Sequence, residues 1–400
     1  MDLNFYTNFA QNVGQQEAAI NTLQAQVASG YAVQTPDQGP AAYETASFAN
    51  DQIGQISADN TTQAAIQNQL GSVGGLLTSV SNLFDNVQSV AEQALNGATN
   101  SSDQQELSTQ VSSSLSQLIG LANTTGSNGQ YLFGGSRGNI APFQVQSDGS
   151  VLYIGDNAQS LANIAPGTSV PTISNGEVFV SSLNGDGIAN VTAASSNTGS
   201  AGLTGVVINP VTSAAFQQGS TPITVSFSQG ANGVVYTAAA GGNVISTGNV
   251  TSGLTLQLAG EEFTLSGSPA AGDQFTIAPA RPTTAFALLQ TIATALADTG
   301  NTPAQGAQTR QILNTSLGAL AQYQQAVVTA QAQNGVTLQA VSNAKTGNAS
   351  QSNALQGAVQ TAVGANIPVA IDNLDQSVTA LEAAFKAFAS ASSLSLFQYL

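Results

Sequence analysis

The sequence contains no histidine and no cysteine in 400 residues. These absences exclude nucleophilic systems that pair Ser or Cys with His, zinc held by His or Cys, iron–sulfur clusters, thiol redox chemistry and disulfides. Only an enzyme that works with carboxylates alone fits this composition. We therefore expect no cofactor, no metal ion and no catalytic residue.

Basic residues are also scarce. Five Lys and Arg stand against 21 Asp and Glu, which gives a formal net charge of −16, although only 6% of the residues are charged. Binding to nucleic acid needs clustered Lys and Arg to neutralise phosphates, so we predict no nucleic-acid partner. The sequence has no apolar run of about 18 residues and no start typical of a secretory signal, so we predict no membrane partner.

Heptad spacing of apolar residues predicts long helices on both sides of the chain. One stripe advances in alternating steps of four and three residues: Ile66, Leu70, Val73, Leu77, Val80, Phe84, Val87, Ala91 and Ala94. This period of 3.5 places all of them on one face, which must pack against a partner helix. Further stripes predict helices that contain Leu107, Phe286 and Leu313, the last running from about Pro303 to Lys345.

Both ends of the chain have the pattern of amphipathic helices. Such a stripe is either intramolecular core or a surface that orders against a neighbouring subunit. We select the following apolar residues as candidates for subunit packing: Phe5, Phe9, Val13, Ile20, Leu23, Leu374, Val378, Leu381, Phe385, Phe388, Leu396 and Phe397. Pro368 predicts a helix start or bend near Ile367, because proline is tolerated in a first helical turn.

The period changes to two between about residues 140 and 280, where apolar and polar residues alternate around Ile223, Leu256, Phe263 and Phe275. We therefore predict an α+β fold, in which the N- and C-terminal parts form a long coiled-coil-like helical bundle with an inserted mainly-β domain. The predicted domains are a terminal helical domain (1–40 with 366–400), a helical rod domain (41–140 with 281–365) and an inserted outer β domain (141–280).

Three short motifs resemble functional sites, and we interpret each as structural. Glu261 and Glu262 are adjacent in a predicted strand, where neighbours point to opposite faces, so we expect a solvated pair at the strand end. The stretch 184–187 (NGDG) lacks the later acidic ligands of a calcium loop and is expected to form a turn. The glycines of 134–138 neither follow a buried strand nor open a helix with a downstream acidic partner, so a phosphate site is not expected.

Several motifs occur in a fixed order along the chain. Residues 126–135 (GSNGQYLFGG), followed by 141–143 (APF), resemble the signature at which flagellin-like proteins leave their helical hairpin for the variable domain. Similar matches are found at 28–30 (ASG), 35–37 (TPD), 94–97 (ALNG), 271–277 (AGDQFTI) and 394–400 (LSLFQYL). The chain thus resembles the flagellin-like family, and in particular its hook-associated members at the junction of hook and filament.

The resemblance implies a structural role without catalysis. Relatives of this type form a ring of identical subunits that joins hook to filament, with another hook-associated protein on the hook side and flagellin on the filament side. It also implies a flagellar export chaperone as a partner and an extracellular location reached by flagellar type III export. The alternatives are a filament flagellin, which copy number per filament would distinguish, and an outer-surface adhesin, which would not explain heptad stripes at both ends.

Overall fold

The computed structural model describes residues 3–96, 100–156, 158, 161–171, 176–180, 188–280, 283–298 and 302–396. The helices are α1 (Leu3–Ser29), α2 (Pro40–Leu95), α3 (Ser101–Ala122), α4 (Glu177–Val180), α5 (Pro210–Gln218), α6 (Ala285–Ala297), α7 (Pro303–Val363) and α8 (Ile367–Leu396). The strands are β1 (Phe143–Val145), β2 (Val151–Tyr153), β3 (Leu161–Ala165), β4 (Thr168–Pro171), β5 (Asn190–Ala193), β6 (Gly202–Val207), β7 (Ile223–Gly230), β8 (Gly233–Ala240), β9 (Asn243–Asn249), β10 (Thr255–Leu258), β11 (Glu261–Ser266) and β12 (Gln274–Ala278). This order confirms the predicted α+β fold, with long helices at both ends and strands between them.

The chain divides into two compact units. The terminal unit comprises Met1–Ala64, Asn163–Thr168 and Ser342–Leu400, and the central unit comprises Ala65–Ala162 and Ser169–Val341. The long helices α2 and α7 each contribute residues to both units.

The heptad stripe of α2 forms one side of the helical core. All nine predicted stripe residues between Ile66 and Ala94 are buried, which confirms the expected packing. Most of them share one apolar cluster with residues of α3, α6 and α7. Tyr323 of α7 is buried in this cluster, and its hydroxyl donates a hydrogen bond to the carbonyl of Thr283. Burial raises the pKa of this phenol above its usual range.

One helix begins with a full capping box, and another ends later than predicted. The N-cap of α3 is Asn100, whose side chain accepts hydrogen bonds from the backbone of Ser102 and Asp103, while the Asp103 carboxylate accepts from the Asn100 N–H. Helix α7 continues to Val363, well beyond the predicted end at Lys345. The heptad spacing persists beyond Lys345 with the buried Asn348 at a core position, which an apolar pattern does not detect. The predicted start of the last helix near Ile367 is confirmed.

An aromatic cluster joins the helical core to the first part of the predicted β insert. The ring of Phe143 lies 5.1 Å from that of Phe286 on α6 and 5.4 Å from that of Phe179 on α4. Tyr153 of β2 stacks at 5.0 Å against Phe143, and its hydroxyl donates to the carbonyl of Asp156. Residues from 143 to 180 thus supply side chains to the core that the helices build.

The strands from β5 to β12 form a separate antiparallel core. A five-stranded sheet has the order β5-β12-β7-β8-β9, and a three-stranded sheet has the order β10-β11-β6. Their alternating apolar residues, among them Val225, Phe263 and Phe275, share a second cluster. Because β12 pairs with β5 and Ile277 lies opposite Val191, the two ends of this segment are adjacent.

Glu261 corrects one expectation. Its side chain is 0% exposed, and its carboxylate accepts hydrogen bonds from the N–H of Ala189 at 2.8 Å and the hydroxyl of Ser213 at 2.9 Å. The predicted solvated pair is therefore wrong for Glu261, whereas Glu262 is half-buried. The alternation of β11 directs Glu261 inward, where donors from two neighbouring segments replace water.

The glycine-containing loop at 134–138 is closed by a carboxylate. Asp156 accepts hydrogen bonds from the N–H of Ser136 at 2.7 Å and from its hydroxyl. These bonds, led by the one from the hydroxyl, hold the pKa of Asp156 below its usual range. An anion would meet a negative charge here, which agrees with the structural interpretation. The NGDG motif at 184–187 lies outside the described residues.

Candidate subunit-packing site

The two terminal helices pair with each other within one chain. On α1, the predicted stripe residues Phe9, Val13 and Leu23 are half-buried and Ile20 is buried. Their steps of three, four and seven residues put them on one face of the helix, as an amphipathic sequence requires. This face packs against α8. Most of the apolar stripe of α1 is therefore intramolecular contact surface.

Aromatic rings near the start of α1 pack against aromatic rings in the C-terminal half of α8. Phe9 of α1 stacks on Phe388 of α8, with centroids 4.0 Å apart and planes at 14°. Phe385 meets Phe9 edge-on at 5.9 Å, and Tyr6 meets Phe388 edge-on at 5.7 Å. Such ring pairs add about 0.5–1.5 kcal/mol each beyond the apolar area they bury.

The apolar residues of α8 separate into two rows. The inner row consists of Leu374, Leu381 and Phe388, which are half-buried. The outer row consists of Ile371, Val378 and Phe385, which remain 42%, 39% and 47% exposed. Each row repeats every seven residues, so each keeps to one side of the helix. The outer row is an exposed apolar strip beside the α1–α8 contact.

Backbone hydrogen bonds join the segment that follows α1 to the segment that follows α7. The N–H of Ala32 donates to the carbonyl of Val363 at 2.6 Å, and the N–H of Ala365 donates to that of Gly30 at 2.8 Å. Gly30 has φ +76°, a left-handed backbone conformation that residues other than glycine rarely adopt. This glycine ends α1 and allows the turn that leads toward α2.

The structure brings the described candidates together and adds others. Phe5 and Leu396 belong to α1 and α8, and Phe397 lies outside the described residues. Ile371 and Tyr6, which are exposed and were not among the predicted residues, also lie on the paired helices α1 and α8. Ile371 carries a signal that could have revealed it, because it precedes Val378 and Phe385 at heptad spacing.

A few charged residues border the outer row, and polar and small residues lie between them. Asp372, Asp375, Glu382 and Lys386 are exposed along α8. In the part of the row that the structure describes, the apolar side chains are exposed, and so are the carboxylates beside them. The chemistry of the row is that of an apolar surface with a solvated border, which suits contact with another apolar helix.

Comparisons with known proteins agree with this architecture. The bacterial flagellin N-terminal helical region matches residues 2–137. Flagellar hook-associated protein 3 of Escherichia coli strain K12 is 25% identical over 173 residues, which cover 43% of this chain and 54% of the relative. The crystal structure of FlgL from Xanthomonas campestris superposes with a TM-score of 0.69 and 26% identity, covering 78% of this chain and 99% of that one. The chain is therefore similar to flagellin-like proteins, and its N-terminal third matches their helical region.

The chain also shares its fold with a structure of lower identity. The flagellar junction protein FlgL from Legionella pneumophila superposes with a TM-score of 0.70 and 22% identity, covering 80% of this chain and 99% of that one. The alignment with the Escherichia coli relative spans about half of that protein, 54% of its length. Within the described residues, no helix has the length and apolar character needed to cross a membrane.

Proposed function

We propose that this flagellin-like protein is a structural component of the bacterial flagellum and forms the ring that joins hook to filament. The observation that carries the proposal is the outer row Ile371, Val378 and Phe385, an apolar strip left exposed when α8 pairs with α1. An exposed row at heptad spacing is suited to a helix of a neighbouring subunit. The similarity to a hook-associated protein and to FlgL structures favours this function over a filament flagellin or an adhesin.

The partners follow from a place at the junction. Copies of the chain contact one another around the ring, a second hook-associated protein lies on the hook side, and flagellin lies on the filament side. An export chaperone holds the chain before flagellar type III export delivers it to its extracellular position. The protein performs no catalysis and binds neither nucleic acid nor membrane in this role, consistent with its five basic residues and its lack of His and Cys.

The domain division is part of the proposal. Residues 1–40 with 366–400 form the inner tube and residues 41–140 with 281–365 form the helical rod. Residues 141–280 form the outer domain, of which the segment from 143 to 180 contributes side chains to the core of the rod. Support comes from the α1–α8 pairing and from the closed core of the strands between β5 and β12.

The double substitution Ile371→Ser and Val378→Ser tests the outer row. In cells that carry this variant, we expect few or no filaments and flagellin released into the medium. The physical reason is that each change removes roughly 1.5–3 kcal/mol of apolar burial at an interface that a closed ring repeats in every subunit. Filaments are counted by electron microscopy, and flagellin in the medium is measured by immunoblot.

The chain provides a matched control. Val244 and Ile245 on edge strand β9 are 62% and 48% exposed, so Val244→Ser with Ile245→Ser makes the same two changes away from the terminal helices. This control is expected to leave filament number and length unchanged. Normal filaments in the outer-row variant, or an equal loss in both variants, would contradict the proposed function.

A further inference from the structure

The core stripe of α7 contains asparagine where the rest of the stripe is apolar. Counted in sevens, one heptad position is occupied by Leu313, Leu320, Val327, Asn334, Val341, Asn348 and Leu355. An asparagine at such a position lowers the stability of a coiled coil but specifies which residues of the two helices face each other. The amides of Asn334 and Asn348 both form hydrogen bonds with α2.

Asn334 enters a notch on α2. Its Nδ2 donates a hydrogen bond to the backbone carbonyl of Leu70 at 3.0 Å. A Cβ atom placed on Gly74 would lie 3.1 Å from this nitrogen, so a larger residue there would press on the amide. The Oδ1 of Asn334 is buried without a hydrogen-bond partner among the described residues. The side chain therefore fits one position on α2, at a cost in unsatisfied hydrogen bonding.

Other amides of α7 contact α2 in the same antiparallel order. Asn348, which is buried, donates to the side chain of Asn60 at 3.3 Å. Gln324 donates to the carboxylate of Asp85 at 2.7 Å and to the amide oxygen of Gln88 at 3.1 Å. These contacts are polar and occur at three levels along the two helices, so each defines a local pairing.

Apolar packing alone does not select a single pairing of α2 with α7. The stripe of α2 repeats every seven residues, so a shift of one heptad, about 10 Å along the axis, again places apolar residues opposite apolar residues. We infer that Asn334, seated in the notch at Gly74, is the residue that specifies the register of α7 on α2. After a shift, its amide would face apolar side chains and lose its acceptor, which makes the shifted pairing unfavourable.

The absence of cysteine makes a direct test practical. Cysteines introduced at the exposed residues Asn68 of α2 and Gln325 of α7 carry spin labels, and pulsed electron paramagnetic resonance measures the distance between them. The parent chain is expected to give one narrow distance distribution. Asn334→Leu is expected to add a second population displaced by about 10 Å, which is one heptad of helical rise. Its thermal unfolding temperature is expected to equal or exceed that of the parent.

Two further variants sharpen the test. Val341→Ile changes the same heptad position without a polar group, and it should keep the single distance. Gly74→Ala fills the notch and should lower the unfolding temperature, although alanine favours a helix more than glycine does. A single parental distance in Asn334→Leu would show that other contacts, such as those of Gly30 with Ala365, set the register, and would overturn the inference. Marked destabilisation of Asn334→Leu, or a more stable Gly74→Ala, would overturn it equally.

Discussion

Replacement of Leu77 by aspartate is expected to lower the free energy of unfolding of the central unit by about 3–5 kcal/mol. Leu77 is buried in the α2 stripe, within the cluster that also contains Phe84 and Leu320. The change removes apolar contacts and brings a carboxylate into an apolar cluster, where burial disfavours the charge. Denaturant unfolding followed by circular dichroism measures the effect.

Ser79→Asp is the control for this substitution. Ser79 lies two residues further along α2 and is exposed, so it receives the same charge without entering the core. Its effect on the free energy of unfolding is expected to stay within about 0.5 kcal/mol. Similar unfolding curves for Leu77→Asp and the parent would show that the α2 stripe is not a packed core.

The helical part of the fold could be predicted because its signal is periodic and long. The stripe from Ile66 to Ala94 repeats over four heptads, and the structure buries all of it. The end of α7 was predicted too early because Asn348, which like Asn334 occupies a core position, lies just beyond Lys345, where a search for apolar residues finds a gap. Their role depends on what α2 presents to them, and a single helix sequence does not contain that information.

Buried polar and short apolar segments were harder to predict for a similar reason. Glu261 belongs inside because Ala189 and Ser213 bring donors to it from distant parts of the chain. Phe179 lies on a helix of four residues, too short to show a period, yet it packs against Phe143 and Phe286. Both positions are determined by tertiary contacts, which outweigh local pattern.

The apolar stripe of α8 could be read from the sequence, but its division into two rows could not. Heptad spacing groups Leu374, Val378, Leu381 and Phe385 on one side of the helix. Which of them contact α1 and which stay exposed depends on where α1 lies across that face. The division into an inner and an outer row, and with it the inclusion of Ile371, needs the paired helices.

Two deletions of the β region are expected to differ strongly in stability. Removal of residues 190–278 takes out the strands that close on their own core and joins ends that β5 and β12 already hold together. The helical core should keep its unfolding transition. Removal of residues 145–278 also takes out Tyr153 and Phe179, and leaves Phe143 and Phe286 beside an unfilled space.

The larger deletion should therefore be less stable than the smaller one by at least about 3–5 kcal/mol, the usual cost of losing one large aromatic side chain from a core. Phe179→Ala in the full chain should reproduce much of this difference, because it empties the same space and leaves every strand in place. Thermal and denaturant unfolding of the two deletions and the point variant measures all three. Equal stability of the deletions would mean that the segment from 143 to 180 belongs with the β domain and that the helical core is complete without it.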